Sequence, residues 1–317
     1  MKTTVLVVLS CAGVTAGFAA RRIIKILYSK ALLASLCEEM KFRSRPKGFF
    51  RLAITGTSSG IGKACKELLK GFDSVEVVCL SRRRTESSNI SIDLLDTLSC
   101  KNCVDTLSKT WFQDGSNPAH NIVLHNAGIF TSTRASDVWR VNAITPCVMT
   151  EALCTAYQGS VRDGSLRFVY VGSRLEKRSN LDESNIVETV KAALMNDSSY
   201  QKSSAYADTK RAIMLHTSYM CKKYKDSVSF GVVTPGMVNT NIGRTTVSPI
   251  LWWITAPLRF LFLRHPIEGA VAVLHVAFSD LNGMYFADPK EILESIPDTR
   301  DSEGGRRFSG ELKNAFS

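Results

Sequence analysis

Two hydrophobic patterns alternate along this chain. Short apolar, β-branched runs bounded by Gly, Asn, Asp or Pro fall at 49–55 (FFRLAIT), 74–80 (SVEVVCL), 89–93 (NISID), 121–128 (NIVLHNAG), 166–173 (LRFVYVGS), 227–236 (SVSFGVVTPG) and 283–288 (GMYFAD). Each reads as a strand. Between them lie longer stretches with helical spacing, near 61–71, 95–112, 135–158, from Tyr206 onward, and 267–279. Strands that alternate with helices predict βαβ units. The fold class expected is α/β: a Rossmann-type, doubly wound, mainly parallel seven-stranded sheet with helices on both faces. A polar stretch, 175–202, interrupts the pattern between the fifth strand and the helix of Tyr206. There is no internal repeat and no linker that divides 49–317, so that span reads as a single domain.

The pattern is different ahead of residue 49. Thr3 to Ala20 is an 18-residue run without charge, near the lower limit for crossing a bilayer. Nine basic residues follow between Arg21 and Arg51 against two acids, which leaves +7 of the chain's net +11 there. The expected organisation is a membrane anchor over 1–20 (a signal-anchor), a basic juxtamembrane linker over 21–48, and the domain over 49–317. With the basic block on the trailing side, the positive-inside rule keeps the domain in the cytosol, on the endoplasmic reticulum or a related organelle. Juxtamembrane Lys and Arg are also drawn to anionic lipid. A cleaved secretory signal is the rival; glycosylation at the Asn89 or Asn196 sequons would support it. The basic block lacks aromatic interleaving or a nucleic-acid motif, so no nucleic-acid partner is expected.

Nine scattered cysteines, an odd number, suit a reducing compartment. Cys100 and Cys103 have no second pair at zinc spacing, so they read as helix thiols and no metal site is expected.

The first strand runs into Thr55-Gly56-Thr57-Ser58-Ser59-Gly60-Ile61-Gly62, ahead of a helix. A phosphate-binding turn belongs at this place. Gly56 permits a tight turn, Gly60 lets backbone approach a pyrophosphate, and Gly62 allows close packing. The helix N-terminus adds free N–H groups and the positive end of its dipole. Farther on, Tyr206 and Lys210 stand four apart in YADTK, on one face of a helix.

In order, TGTSSGIG (55–62), HNAG (125–128), Asn142 in RVNA, VGS (171–173), YADTK (206–210) and TPG (234–236) resemble the motif set of the short-chain dehydrogenase/reductase family over about residues 50–290. The tail HPIEGAVAVLHVAFS with NGMYFADP resembles the retinol dehydrogenase-like branch. The resemblance implies a dinucleotide-binding catalytic domain, with Tyr206 as acid/base, Lys210 as its tuner and donor to the nicotinamide ribose, Ser173 as ligand of the substrate oxygen and Asn142 supporting a water relay. For the cofactor it implies the turn residues Gly56, Ser58, Ser59, Gly60, Ile61 and Gly62, then Asp93 and Leu94 at the adenine, Asn126, Ala127 and Gly128 along the central strand, Tyr206 and Lys210, and Pro235, Gly236, Val238 and Thr240 near the carboxamide. His125 departs from the family's usual Asn and reads as a packed neighbour.

The chemistry agrees with that reading. Carbonyl reduction needs a hydride at carbon and a proton at oxygen. A free tyrosine, with a pKa near 10, is a poor proton partner at neutral pH. A cation one helical turn away is expected to lower it, and a serine hydroxyl stabilises charge on the substrate oxygen.

The second strand ends LSRRR (80–84). An NAD site of this fold puts an acid there. Ser81, Arg82 and Arg83 suit a 2′-phosphate instead, so NADP(H) is the expected cofactor. Residues 248–263, SPILWWITAPLRFLFL, carry only Arg259 as a charge. They read as a lid and pocket, as a second shallow membrane contact, or as a core-packed helix. The function expected is an NADP-dependent oxidoreductase that interconverts a lipophilic carbonyl (a retinal-, steroid- or lipid-like aldehyde or ketone) and its alcohol. The alternative is a non-catalytic NADP-binding scaffold or sensor. The partners expected are a lipophilic small molecule, the membrane and, through the helices carrying Asn142 and Tyr206, a second copy in a homodimer.

Overall fold

The computed structural model describes residues 49–316 apart from 71, 83–88, 114–118, 159–164, 199, 226, 247, 280–282, 289–290 and 296–298; ahead of Phe49 it describes Ala20, Ile23, Leu27 and Ala31. The anchor and linker expected over 1–48 therefore lie almost wholly outside the described residues. Among the described residues, no helix is long and apolar enough to cross a membrane.

The strands are β1 (Phe49–Thr55), β2 (Val75–Ser81), β3 (Asn89–Ser91), β4 (Ala119–His125), β5 (Ser165–Val171), β6 (Val228–Val233), β7 (Met284–Asp288) and β8 (Glu291–Ser295). They form one sheet in the order β3-β2-β1-β4-β5-β6-β7-β8. The seven expected strands are all present and pair in parallel. An eighth, β8, turns back antiparallel against β7 at the edge; the sequence reading had placed no element after residue 288.

Side chains alternate between the two faces of each strand. Leu52 and Ile54 of β1, Ile122 and Leu124 of β4 and Val169 of β5 pack beneath α1 (Gly60–Leu69) and a later helix, Pro266–Ala277. Ala53, Val123, Phe168, Tyr170 and Phe230 point to the other face, under α2 (Thr97–Ser108), the long helix ending at Gln158, and the helix Ala205–Lys223. Both faces are thus apolar, as a parallel sheet covered on both sides requires. The helix Pro266–Ala277 starts sharply. His265 and Glu268 form a reciprocal cap, and Pro266 occupies the first turn, where its missing N–H costs nothing.

The helix expected over 135–158 is not uniform. It runs as α3 (Ala135–Trp139), a wider π turn at Arg140–Ile144, and α4 (Thr145–Gln158). Pro146 has no N–H to offer the Asn142 carbonyl, and the Thr145 N–H donates to Arg140, five residues back. The polar stretch after β5 folds into a 3-10 turn, Arg174–Arg178, and α5, Ile186–Leu194, before α6, Ala205–Lys223. A C-terminal helix, Thr299–Phe316, lies along α6. Gly304 and Gly305 let it approach; a side chain at Gly305 would run into the Leu215 carbonyl.

Candidate active site

The strand order reverses between the parallel neighbours β1 and β4, which opens a crevice at their carboxyl ends. The glycine turn fills one side. Gly56 and Gly60 have φ of 75° and 59°, in the left-handed region that suits glycine. Gly62 is fixed by contact: a Cβ there would overlap the Asn126 Nδ2 and the Gly56 carbonyl. Close packing was expected of Gly62, but the neighbours are the turn itself and the end of β4. Ser58 and Ser59 are exposed on the turn, and Ile61 packs toward Gly269 and Val238.

Thr55, at the last position of β1, staples the crevice. Its Oγ1 accepts from the Asn126 and Ala127 backbone N–H groups at 3.0 and 2.9 Å, and the Asn126 side chain donates to the Thr55 carbonyl at 2.9 Å. Ala127 abuts Gly56, and Gly128 faces the Asn142 side chain. Sequence reading assigned Thr55 no role; its position at the strand end was the available signal.

The far wall comes from the segment after β6. Pro235 is buried, Gly236 has φ of 78° and lies against Arg264, and Val238 bridges to Arg264. The Thr240 methyl sits so close to Gly60 that a Cβ there would lie 3.2 Å from it. The two cofactor segments expected from 56–62 and 235–240 therefore meet.

Below that wall stand the four catalytic candidates. Asn142 holds the backbone of Ile129 with both ends of its amide, Oδ1 accepting at 2.9 Å and Nδ2 donating at 2.8 Å. Its Nδ2 also reaches the Thr209 hydroxyl at 3.3 Å, which donates to the Tyr206 carbonyl at 2.8 Å. Ser173 begins the 3-10 turn, its Oγ accepting from the Leu175 N–H at 3.3 Å. The Tyr206 phenol hydrogen-bonds Ser173, and its ring lies 4.7 Å from that of Phe130. Lys210 is buried, with Nζ 5.5 Å from the Tyr206 ring centre. The geometry brings Ser173, Tyr206 and Lys210 together, with Asn142 joined to the Tyr206 helix through Thr209.

One expectation is corrected by the electrostatics. Burial pushes the Tyr206 phenol above its usual range, and the Ser173 hydrogen bond draws it partway back. Lys210 was expected to lower it. Instead Lys210 donates to the Val171 carbonyl at 2.7 Å, and burial brings its own pKa down to about 8.

On the opposite side of the glycine turn, the Gly56 N–H donates to the Leu80 carbonyl at 3.1 Å, so Ser81 and exposed Arg82 leave β2 beside the turn. Arg83 lies outside the described residues. The Asp93 carboxylate accepts from the Leu95 N–H at 3.0 Å, and the Leu94 carbonyl accepts from Thr145 at 2.8 Å.

No family profile matches the chain. It is 27% identical over 292 residues to retinol dehydrogenase 14 of Mus musculus, covering 80% of this chain and 82% of that protein. It is 26% identical over 295 residues to the Homo sapiens protein of the same name, with the same coverage. Among solved structures, the Pseudomonas 3-alpha-hydroxysteroid dehydrogenase complexed with NADH superposes with a TM-score of 0.55 at 24% identity, covering 75% of this chain and 95% of that one. A short chain dehydrogenase from Burkholderia cenocepacia in complex with NADP has a TM-score of 0.52 at 14% identity, covering 75% and 88%. The chain is thus similar to retinol dehydrogenases along most of its length and shares the fold of short-chain dehydrogenases.

One residue departs from the short-chain dehydrogenase/reductase motif that the sequence resembles, and its physical role is plain. His125 is buried, stacked 4.8 Å from the Tyr170 ring, with Nε2 2.9 Å from the Thr150 hydroxyl. Burial drives its pKa down to about 3, so it packs as a neutral ring beneath the crevice. Cys100 and Cys103 are likewise buried on α2, with thiols raised to about 12 by burial.

Proposed function

We propose that this chain is a short-chain dehydrogenase/reductase, an NADP(H)-dependent oxidoreductase acting on a lipophilic carbonyl or alcohol. The observation that carries this reading is the convergence of Ser173, Tyr206 and Lys210 beside the glycine turn, at the carboxyl ends of the strands. A nicotinamide dinucleotide fits the residues present. Gly56 and Gly60 keep the turn free of side chains, and the N-terminus of Gly60–Leu69 offers unpaired N–H groups to phosphate. Bound there, the cofactor supplies or accepts the hydride.

The chain's own residues then handle the proton and the developing charge. Tyr206 donates its phenolic proton to the substrate oxygen in reduction and takes it back in oxidation. Ser173 hydrogen-bonds the same oxygen as charge develops. Lys210, tied to the strand that leads to Ser173, holds a positive charge below about pH 8 beside the phenol. Asn142 fixes Ile129 and, through Thr209, the first turn of the Tyr206 helix.

NADP over NAD is inferred from Arg82 and Arg83, where an acid would favour an unphosphorylated ribose. The lipophilic substrate is inferred from the similarity to retinol dehydrogenases and from the segment 249–262, whose Ile250, Trp253, Ile254, Leu258 and Phe262 are all more than half exposed. We infer that this apolar face makes a shallow membrane contact and that residues 1–20 anchor the chain, leaving the domain in the cytosol. Alkaline extraction and protease protection of membranes carrying the protein test that topology.

The decisive assay is oxidation of NADPH and NADH by detergent-purified protein against retinal-, steroid- and fatty-aldehyde substrates. Turnover preferring NADPH is the expected result. Tight NADPH binding without turnover of any carbonyl would favour a scaffold instead.

A further inference from the structure

Asp208 stands between Tyr206 and Lys210 in sequence, yet has no part in the proton chemistry above. Its side chain is buried, and three hydroxyls reach the carboxylate: Ser179 donates to Oδ1 at 2.6 Å, Tyr200 to Oδ2 at 2.8 Å, and Ser204, which shares its one proton with the Gln201 carbonyl at 2.8 Å, to Oδ2 at 2.9 Å. These donors come from both ends of the crossover that joins β5 to α6.

Each bond reaches a segment that carries a catalytic candidate. Ser179 closes the 3-10 turn Arg174–Arg178 at one end, and Ser173 caps it at the other. Tyr200 accepts in turn from Trp139 Nε1 at 3.0 Å. Trp139 is fully buried and stands three residues ahead of Asn142, at the end of Ala135–Trp139 where the π turn begins. Ser204 lies directly ahead of α6 and ties its first residues to the same carboxylate. Asp208 is itself two residues past Tyr206. One carboxylate thereby joins the turn of Ser173, the helix of Asn142 and the helix of Tyr206 and Lys210.

We propose that Asp208 is a positioning residue whose carboxylate clamps the crossover 172–204 and so holds Ser173 and Asn142 in register with Tyr206. The carboxylate suits this task because it only accepts, and can take several hydroxyl donors at once. The activity arm of the test rests on the oxidoreductase reading; the exchange arm does not.

In Asp208→Asn, one acceptor oxygen becomes a donor facing Tyr200 and Ser204 or facing Ser179. The expected result is a kcat about tenfold lower, as small displacements of reacting groups produce, with KM and the NADPH dissociation constant within about twofold. Amide hydrogen exchange over 175–204 rises while that of β1 and β4 is unchanged. Wild-type kcat together with wild-type exchange would overturn the proposal. So would a loss of kcat matched by an equal loss of protein able to bind NADPH, since that describes a merely structural residue. If Asp208→Asn does not fold, Ser179→Ala decides, because it leaves two donors on the carboxylate. Lower kcat with intact NADPH binding supports the clamp, and unchanged kcat with unchanged exchange refutes it. If the wild-type protein turns over no carbonyl, the oxidoreductase reading fails separately, and the exchange result alone decides the clamp.

Discussion

Lys210 Nζ donates to the Val171 carbonyl at 2.7 Å while lying 5.5 Å from the centre of the Tyr206 ring. The ammonium is thus fixed by the last residue of β5, two positions before Ser173, and the serine is the group bonded to the phenol. The ammonium lies over the Tyr206 ring, whereas the direct hydrogen bond to the phenol comes from Ser173.

That division of labour separates two substitutions. Tyr206→Phe removes the proton and is expected to lower kcat/KM by about 10²–10⁴-fold, with NADPH affinity within about twofold by fluorescence titration. Ser173→Ala removes the one bond that pulls the phenol down. Its alcohol-oxidation profile should therefore keep its shape and move its rising limb to higher pH. A Ser173→Ala profile that overlays the wild type would show that the serine has no hold on the phenol.

Lys210 also predicts a stability effect with a definite sign. Its folded pKa of about 8 lies below the ordinary 10.5. Between those values the unfolded chain binds more protons than the folded one, so this residue's contribution to stability rises with pH. Above about pH 10, tyrosine ionisation works in the opposite sense, since burial keeps Tyr206 protonated in the fold. Thermal melts of the unliganded protein from pH 8 to 10 should show a rising contribution that Lys210→Met removes. Equal slopes in the two proteins would mean that the lysine is not held in a desolvated site.

Much of this was legible in the sequence because period and punctuation coincide. Seven apolar runs became seven parallel strands, and Gly56 and Gly60 stand where the backbone turns through positive φ. The four catalytic candidates were readable as ordered motifs. What escaped was set by contacts between distant residues. The Val171 carbonyl that captures Lys210 has no signature in sequence, since every residue carries a carbonyl. The place of Asp208 is set by the crossover that folds over it, through donors 4 to 29 residues away. The helix Thr299–Phe316 has three glycines and many charges, a poor helical pattern alone; its packing explains Gly304 and Gly305, while Gly310 faces open space.

The glycine turn makes a prediction in which two adjacent sites fail for different reasons. A methyl at Gly62 would overlap Asn126 and the Gly56 carbonyl, both held by hydrogen bonds. Gly62→Ala should therefore cost about 1–3 kcal/mol of stability, as overpacking does, and weaken NADPH binding too. At Gly60 the neighbour is the Thr240 side chain, and the main obstacle is the φ of 59°. Gly60→Ala should cost about 1 kcal/mol in the unliganded fold. Denaturant melts paired with NADPH titrations separate the two.

The last prediction concerns the second copy expected to pair through the long helices. The face of α6 carrying Leu215 and Tyr219 is covered by the C-terminal helix, with Gly304 and Gly305 against Leu215, and Phe308 and Leu312 fully buried. Ser309 donates to Glu151 at 2.6 Å, and the same carboxylate oxygen meets His216 at 3.0 Å. One acid on α4 thus holds both α6 and the C-terminal helix. A partner pairing through these helices would have to displace that covering and leave Glu151 and His216 buried without it. The protein is therefore expected to run as a monomer in detergent by light scattering, with the detergent mass subtracted. Gly305→Leu forces the helix off α6, and its expected result is self-association or aggregation with a lowered melting temperature. A wild-type dimer cross-linked between the α6 helices of two copies would overturn this assignment, because the same surface cannot serve both helices at once.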